Sequence, residues 1–137
     1  MINRMEALKI MKEVYEKAIV LAPHLKDNVN FRFKDCDHMA YADSGNNVVV
    51  STRFFEDEDY ESHMYYGIIA HELGHLADNH FPMTFWLKKY KDLKVIPFYA
   101  IDLINEFHYK LQWKVEFFAD EFACQLGYGE SLRDYLK

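Results

Sequence analysis

Three features predict an α+β fold: a small three-stranded sheet set among an N-terminal helix, a second helix carrying two histidines, and a glutamate-bearing helix packed across the second. First, apolar residues recur at helical spacing over residues 3–22, 61–79 and 101–126. Second, the period changes to two after residue 28, where Val29, Phe31 and Phe33 alternate with Asn30, Arg32 and Lys34. Third, Ser44-Gly45-Asn46-Asn47 is a turn signal between two short strand-like runs. The chain has 137 residues, of which 50% are hydrophobic and 17% aromatic. That is enough apolar material for one packed domain over residues 1–137, and it argues against disorder.

In the first helix Leu8, Met11, Tyr15, Ala18 and Ala22 fall on one stripe, and Pro23 ends it. It reads as a scaffold covering the core. Residues 38–42 and Val48-Val49-Val50-Ser51-Thr52 flank the turn and pair as a hairpin. Phe54 to Tyr60 is an acidic connector, and Glu56-Asp57-Glu58-Asp59 reads as solvated surface. In the helix over 61–79, Met64, Ile68, His71 and His75 form a stripe with Tyr65, Ile69, Glu72 and Leu76 beside it; Pro82 stops it. Gly74 costs a helix about 1 kcal/mol against alanine, so its presence points to a close neighbour. Residues 81–104 are aromatic and basic and predict a short helix at 83–92, then a loop around Pro97. The last long helix carries Ile104, Phe107, Leu111, Val115, Phe118 and Phe122, with Ala119 and Ala123 offering small surfaces for close helix contact. Gly127-Tyr128-Gly129 ends it, and Ser131 is expected to cap a short helix to Lys137.

The formal charge is -6 with no basic cluster, so nucleic acid is not an expected partner. Cys36 and Cys124 form neither a CxxC pair nor a disulfide framework, which predicts reduced thiols buried as small hydrophobes. The sequence opens Met1-Ile2-Asn3-Arg4-Met5-Glu6 without an apolar signal core. The longest apolar run, Val95 to Ile101, is too short to span a bilayer. A cytoplasmic protein with no membrane segment is expected.

The chemistry concentrates in Ala70-His71-Glu72-Leu73-Gly74-His75-Leu76. On a helix His71 and His75 share one face, one turn apart, and their ring nitrogens can hold one Zn²⁺. Glu72 is rotated off that pair, beside the metal, where it can take a proton from an attacking water. With 7 histidines in 137 residues, the pattern His-Glu-x-x-His arises by chance in about 3 of 100 such chains, so it calls for a second motif. A catalytic zinc takes three protein ligands and keeps one position open. Downstream of His75 the candidates are His80, His108, Glu116 and Asp120. His80, five residues on, points about 140° away round the helix. Glu116 lies on a separate helix able to pack across the first. Asp120, one turn further on the same face, can accept the other N–H of a ligand histidine and fix its tautomer.

The combination of His-Glu-x-x-His with Glu116-Phe117-Phe118-Ala119-Asp120-Glu121-Phe122-Ala123 resembles the gluzincin metallopeptidases. More narrowly it resembles the HtpX and CAAX-prenyl-protease family and its soluble single-domain relatives, the minigluzincins. His80 stands where that family often has a histidine, and Leu126-Gly127-Tyr128-Gly129 with Leu132 and Leu136 fits its ending. The match covers nearly the whole chain. The resemblance implies a zincin-like fold and a zinc-dependent endopeptidase acting on peptide or protein substrates. It implies His71, His75 and Glu116 as zinc ligands, Glu72 as general base, and Asp120 orienting a histidine. It further implies that the strand at 38–42 is a sheet edge receiving an extended substrate in antiparallel fashion. The family's transmembrane segments are missing, and Phe118 stands where an acidic residue is usual. A second resemblance is to ImmA/IrrE-type regulatory proteases, which act on repressors and share the HELGH motif; Gln125-Leu126-Gly127 replaces their Leu-Leu-x-Pro continuation. The residues also leave open a zinc-binding protein that does not cleave, and a structural zinc with a fourth protein ligand. As oxyanion donors they offer Tyr128, His108 and Arg133 and select none.

Overall fold

A computed structural model describes residues 1–78 and 98–136, with the side chains of 98–104, 107 and 108 left aside. Helix α1 (Arg4–Leu21) begins where Asn3, in extended conformation, accepts the Glu6 N–H on its side chain at 2.9 Å. Its buried face is Ala7, Ile10, Met11, Val14 and Ala18. Leu8, expected on that face, is 48% exposed. The face sits one residue round from the expected stripe, because Ile10 and Val14 give a wider apolar arc than Leu8 and Tyr15.

A turn of 3-10 helix (Pro23–Leu25) leads to strand β1 (Asn30–Lys34), followed by β2 (Ala40–Ala42) and β3 (Asn47–Ser51). The sheet order is β1-β3-β2, with β1 parallel and β2 antiparallel to the central β3. The expected hairpin is present. Its turn rests on Asn46 at φ 59, a left-handed conformation that asparagine tolerates, and on Asp43, whose carboxylate accepts the Gly45 N–H at 2.8 Å. Val48, Val49 and Val50 are all buried, a continuous apolar run along the central strand, and the buried polar Ser51 follows them. Ser51 donates its N–H to Met39 at 2.9 Å and Asp43 donates to Asn47 at 3.1 Å. Hydrogen-bonded pairs alternate along an antiparallel ladder, so Ala40 and Ala42 turn their N–H and C=O groups to the open edge.

Helix α2 (Ser62–Asp78) is buried nearly all round, at Tyr65, Ile68, Ile69, Ala70, Leu73 and Leu76 among others. It touches α1, β2, β3, the long α3 (Phe98–Gln125) and the short α4 (Gly129–Leu136). Two glycines make this crowding possible. A Cβ on Gly74 would stand 2.8 Å from the Ala119 Cα of α3, and one on Gly67 would stand 2.3 Å from the Leu132 nitrogen of α4. The close neighbour expected at Gly74 is therefore α3, met through its small residue. Val115, Ala119, Phe122 and Ala123 are buried, whereas Phe118 is 38% exposed because the close contact centres the packing on Ala119.

Gly127, at φ 93, ends α3, and the Tyr128 N–H returns to the Ala123 carbonyl at 2.9 Å. Ser131 does not cap the last helix as expected. α4 begins at Gly129, and the Ser131 hydroxyl accepts the Gly67 N–H at 2.8 Å and donates to the His63 carbonyl. It thus bridges one rung of the α2 ladder and ties α4 to α2. Cys124 is exposed and Cys36 half-buried, against the expectation that both are buried; both are free thiols. The short helix expected at 83–92 and the loop around Pro97 lie outside the described residues.

Gly74→Ala is expected to destabilise the protein by about 1–3 kcal/mol by forcing α2 from α3. Urea unfolding measures this, and an unchanged midpoint would show that the helices separate without cost.

Candidate metal centre

Because α2 turns once every 3.6 residues, His71 and His75 project side by side. Their Nε2 atoms are 3.1 Å apart and their rings stand perpendicular at 4.7 Å between centroids. The contact between Gly74 and Ala119 brings α3 across this face and delivers Glu116, three residues before Ala119. Its Oε2 lies 3.0 Å from His71 Nε2 and its Oε1 3.2 Å from His75 Nε2. One ligand atom from each of the three residues falls within 4.8 Å of the others.

Donor atoms held tetrahedrally at about 2.0–2.1 Å from an ion stand about 3.3 Å apart. The observed separations of 3.0–3.2 Å fit that size closely. The chemistry fits as well: two imidazoles and a carboxylate are metal donors, and Glu72 and Asp120 add further negative charge nearby. These residues could hold a metal ion.

Asp120, one turn beyond Glu116, places Oδ1 2.8 Å from His71 Nδ1. The separation is short, although the ring N–H is not aimed squarely at the oxygen. Glu72 lines a cleft of about 200 Å³ together with His71, Glu116, Asp120, Ala40 of β2 and Tyr135 of α4. Burial pushes the Glu72 carboxyl up to about 7 and the Glu116 charge adds to this, while His71, His75 and the Ala42 backbone N–H pull it down. The amide at the open edge of β2 therefore reaches the carboxylate of α2. Glu116 is held well below the usual carboxylate range by hydrogen bonds to His71 and His75, which outweigh its burial. For His71, burial favours the neutral ring, but the Glu116 hydrogen bond and the charges of Glu72, Glu116 and Asp120 raise its pKa overall.

The five residues expected at the site, His71, Glu72, His75, Glu116 and Asp120, thus stand together. Two of the expected oxyanion donors, Tyr128 and Arg133, do not join them. Tyr128 lies against Tyr66, 5.3 Å between ring centroids, with the Lys17 ammonium 4.7 Å over it. Arg133 is exposed and outside the cleft lining, and neither His80 nor the His108 side chain is among the described atoms. Tyr135 is the residue that sequence reasoning missed: it belongs to no motif, and its only local signal is its place one turn after Ser131. His24 places Nε2 3.0 Å from the Ala77 carbonyl in the last turn of α2.

A histidine-bearing helix crossed by a glutamate-bearing helix, beside a small mixed sheet, defines a metallopeptidase of the gluzincin type, with a zincin-like arrangement. The model of peptidase family M48 matches residues 6–135, and the chain belongs to that family. The resemblance seen in the sequence is borne out at that level. Comparison with curated proteins and with solved structures gives no match. Among the described residues no helix is long and apolar enough to cross a membrane.

Two outcomes follow from the site. If the three groups hold a metal, Asp120→Asn is expected to weaken its binding by about 10–100-fold and Glu116→Gln by more, because one changes the carboxylate beside His71 Nδ1 and the other removes one of the three candidate donors. Competition with a chromophoric chelator measures both. In metal-free protein, the raised Glu72 pKa favours the fold below pH 4.5, and that contribution is lost as pH rises from 4.5 to about 7. Glu72→Gln is therefore expected to stabilise the metal-free protein by about 2–3 kcal/mol at pH 8 and to change little at pH 4.5, as read by thermal unfolding in chelator.

Proposed function

We propose that the protein is a zinc-dependent endopeptidase in which His71, His75 and Glu116 hold the metal and Glu72 is the general base. The observation that carries this reading is the convergence of the three donor groups within 4.8 Å at a cleft that also presents Glu72, in a chain of family M48. When bound, zinc polarises the scissile carbonyl and acidifies the attacking water. Asp120 beside Nδ1 of His71 favours the tautomer protonated there, which leaves the Nε2 lone pair for the metal. Glu72 takes the proton of the attacking water and passes it to the leaving amine; a carboxyl that titrates near neutrality can do both.

The open edge of β2 supports an extended peptide as the substrate form. Ala40 turns its backbone groups to the open edge beside the cleft, and a strand added there gains main-chain hydrogen bonds whatever its sequence. Ile68, Leu132 and Leu136 give the cleft an apolar wall for a substrate side chain. The net charge of -6 disfavours nucleic acid as a partner.

With zinc loaded and a broad peptide library as substrate, Glu72→Gln is expected to keep stoichiometric metal and lose hydrolysis by about 10²–10⁴-fold. If wild type and Glu72→Gln bind metal equally and neither cleaves any peptide, the catalytic reading falls and a binding role replaces it.

A further inference from the structure

The reaction proposed above builds negative charge on the scissile carbonyl oxygen, and none of the residues assigned so far is a free proton donor toward it. Glu72, Glu116 and Asp120 accept hydrogen bonds as carboxylates, and the two imidazoles are committed to the metal. The remaining side chains of the cleft are Ala40, Ile68, Leu132, Leu136 and Tyr135. Tyr135 alone among these carries a hydroxyl.

Its position follows from how α4 is held. Ser131 bridges His63 and Gly67 of α2, and Gly67 admits the Leu132 backbone to a distance no side chain would allow. Those two contacts fix the rotation of α4 about its axis. Tyr135, one turn beyond Ser131, lines the cleft together with His71 and Glu72. No hydrogen bond among the described residues engages its hydroxyl. Burial, with Tyr60 and Glu72 nearby, raises its pKa, so the phenol keeps its proton at neutral pH and can act as a donor.

We propose that Tyr135 is a catalytic residue whose O–H donates a hydrogen bond to the scissile carbonyl oxygen as that oxygen becomes anionic. This rests on the peptidase reading above. As the water oxygen bonds to the carbonyl carbon, the π pair moves onto the carbonyl oxygen and Tyr135 stabilises it without losing its own proton. Glu72 receives the water proton and delivers it to the nitrogen as the C–N bond breaks, and the oxygen pair re-forms the carbonyl.

The test compares zinc-loaded wild type with Tyr135→Phe, using a panel of phosphinic tripeptides as transition-state mimics and calorimetry as readout. Tyr135→Phe is expected to weaken phosphinic binding and lower kcat by roughly 10²-fold, with KM within twofold. In a Glu72→Gln background, binding of an uncleaved peptide is expected to stay unchanged, which a merely structural role for the tyrosine would not give. Phosphinic affinity retained within twofold would overturn the role of Tyr135 and leave the peptidase reading standing. Failure of zinc-loaded wild type to bind any phosphinic peptide or cleave any substrate would overturn both. Should Tyr135→Phe unfold, 3,5-difluorotyrosine in place of Tyr135 keeps the ring and lowers the phenol pKa. It is expected to bring a new alkaline loss of kcat toward neutral pH, and an unaltered pH profile would overturn the proposal.

Discussion

Helix α2 can meet α3 backbone to backbone only because Gly74 has no side chain and Ala119 has almost none. The metal centre depends on this contact. A pair of histidines one turn apart offers two donors on one helix face, and a single helix cannot aim a third atom at the point between them. The third has to come from another element, close enough that a glutamate side chain spans the gap. At the observed approach Glu116 reaches both rings at 3.0 and 3.2 Å. The helical glycine, a liability for α2 by itself, is what lets the second helix in.

The same arrangement concentrates charge that the protein alone leaves unbalanced. Glu72, Glu116 and Asp120 surround two imidazoles at the edge of the core. Burial works against the charge of Glu72, while the histidines stabilise that of Glu116. A divalent cation would neutralise much of this cluster and bind the two Nε2 atoms that stand 3.1 Å apart. Binding of such a cation would add to the stability of the fold, since it would favour the folded chain over the unfolded one.

Two further elements complete the cleft, each held by contacts distant in sequence. β3 takes β1 on one side in parallel and β2 on the other in antiparallel fashion, which leaves β2 as an edge next to Glu72. α4 is fastened by Ser131 and by the close approach at Gly67. Cleft, edge and short helix therefore all take their positions from α2, the element most deeply surrounded by the rest.

What the sequence determined by itself was whatever acts through local geometry. The spacing of His71 and His75 fixes their shared face in any helix, Asp120 follows Glu116 by one turn, and the turn at Ser44 to Asn47 forces the hairpin. The register of burial along α1 and α3 was legible only to within a residue, since Leu8 and Phe118 are apolar yet lie just off faces that the neighbouring helices define. Tertiary structure alone decided the rest. Ser131 looked like a helix cap but bonds groups 64 and 68 residues away, and no local pattern records such a contact. Tyr128 and Tyr135 are the same residue type seven positions apart; one lies against Tyr66 and the other lines the cleft, because the rotation of α4 is set by α2. The motif in α2 brings His71, Glu72 and His75 together from spacing alone, whereas Glu116, the open edge of β2 and the Tyr135 hydroxyl join them only where separate elements pack together.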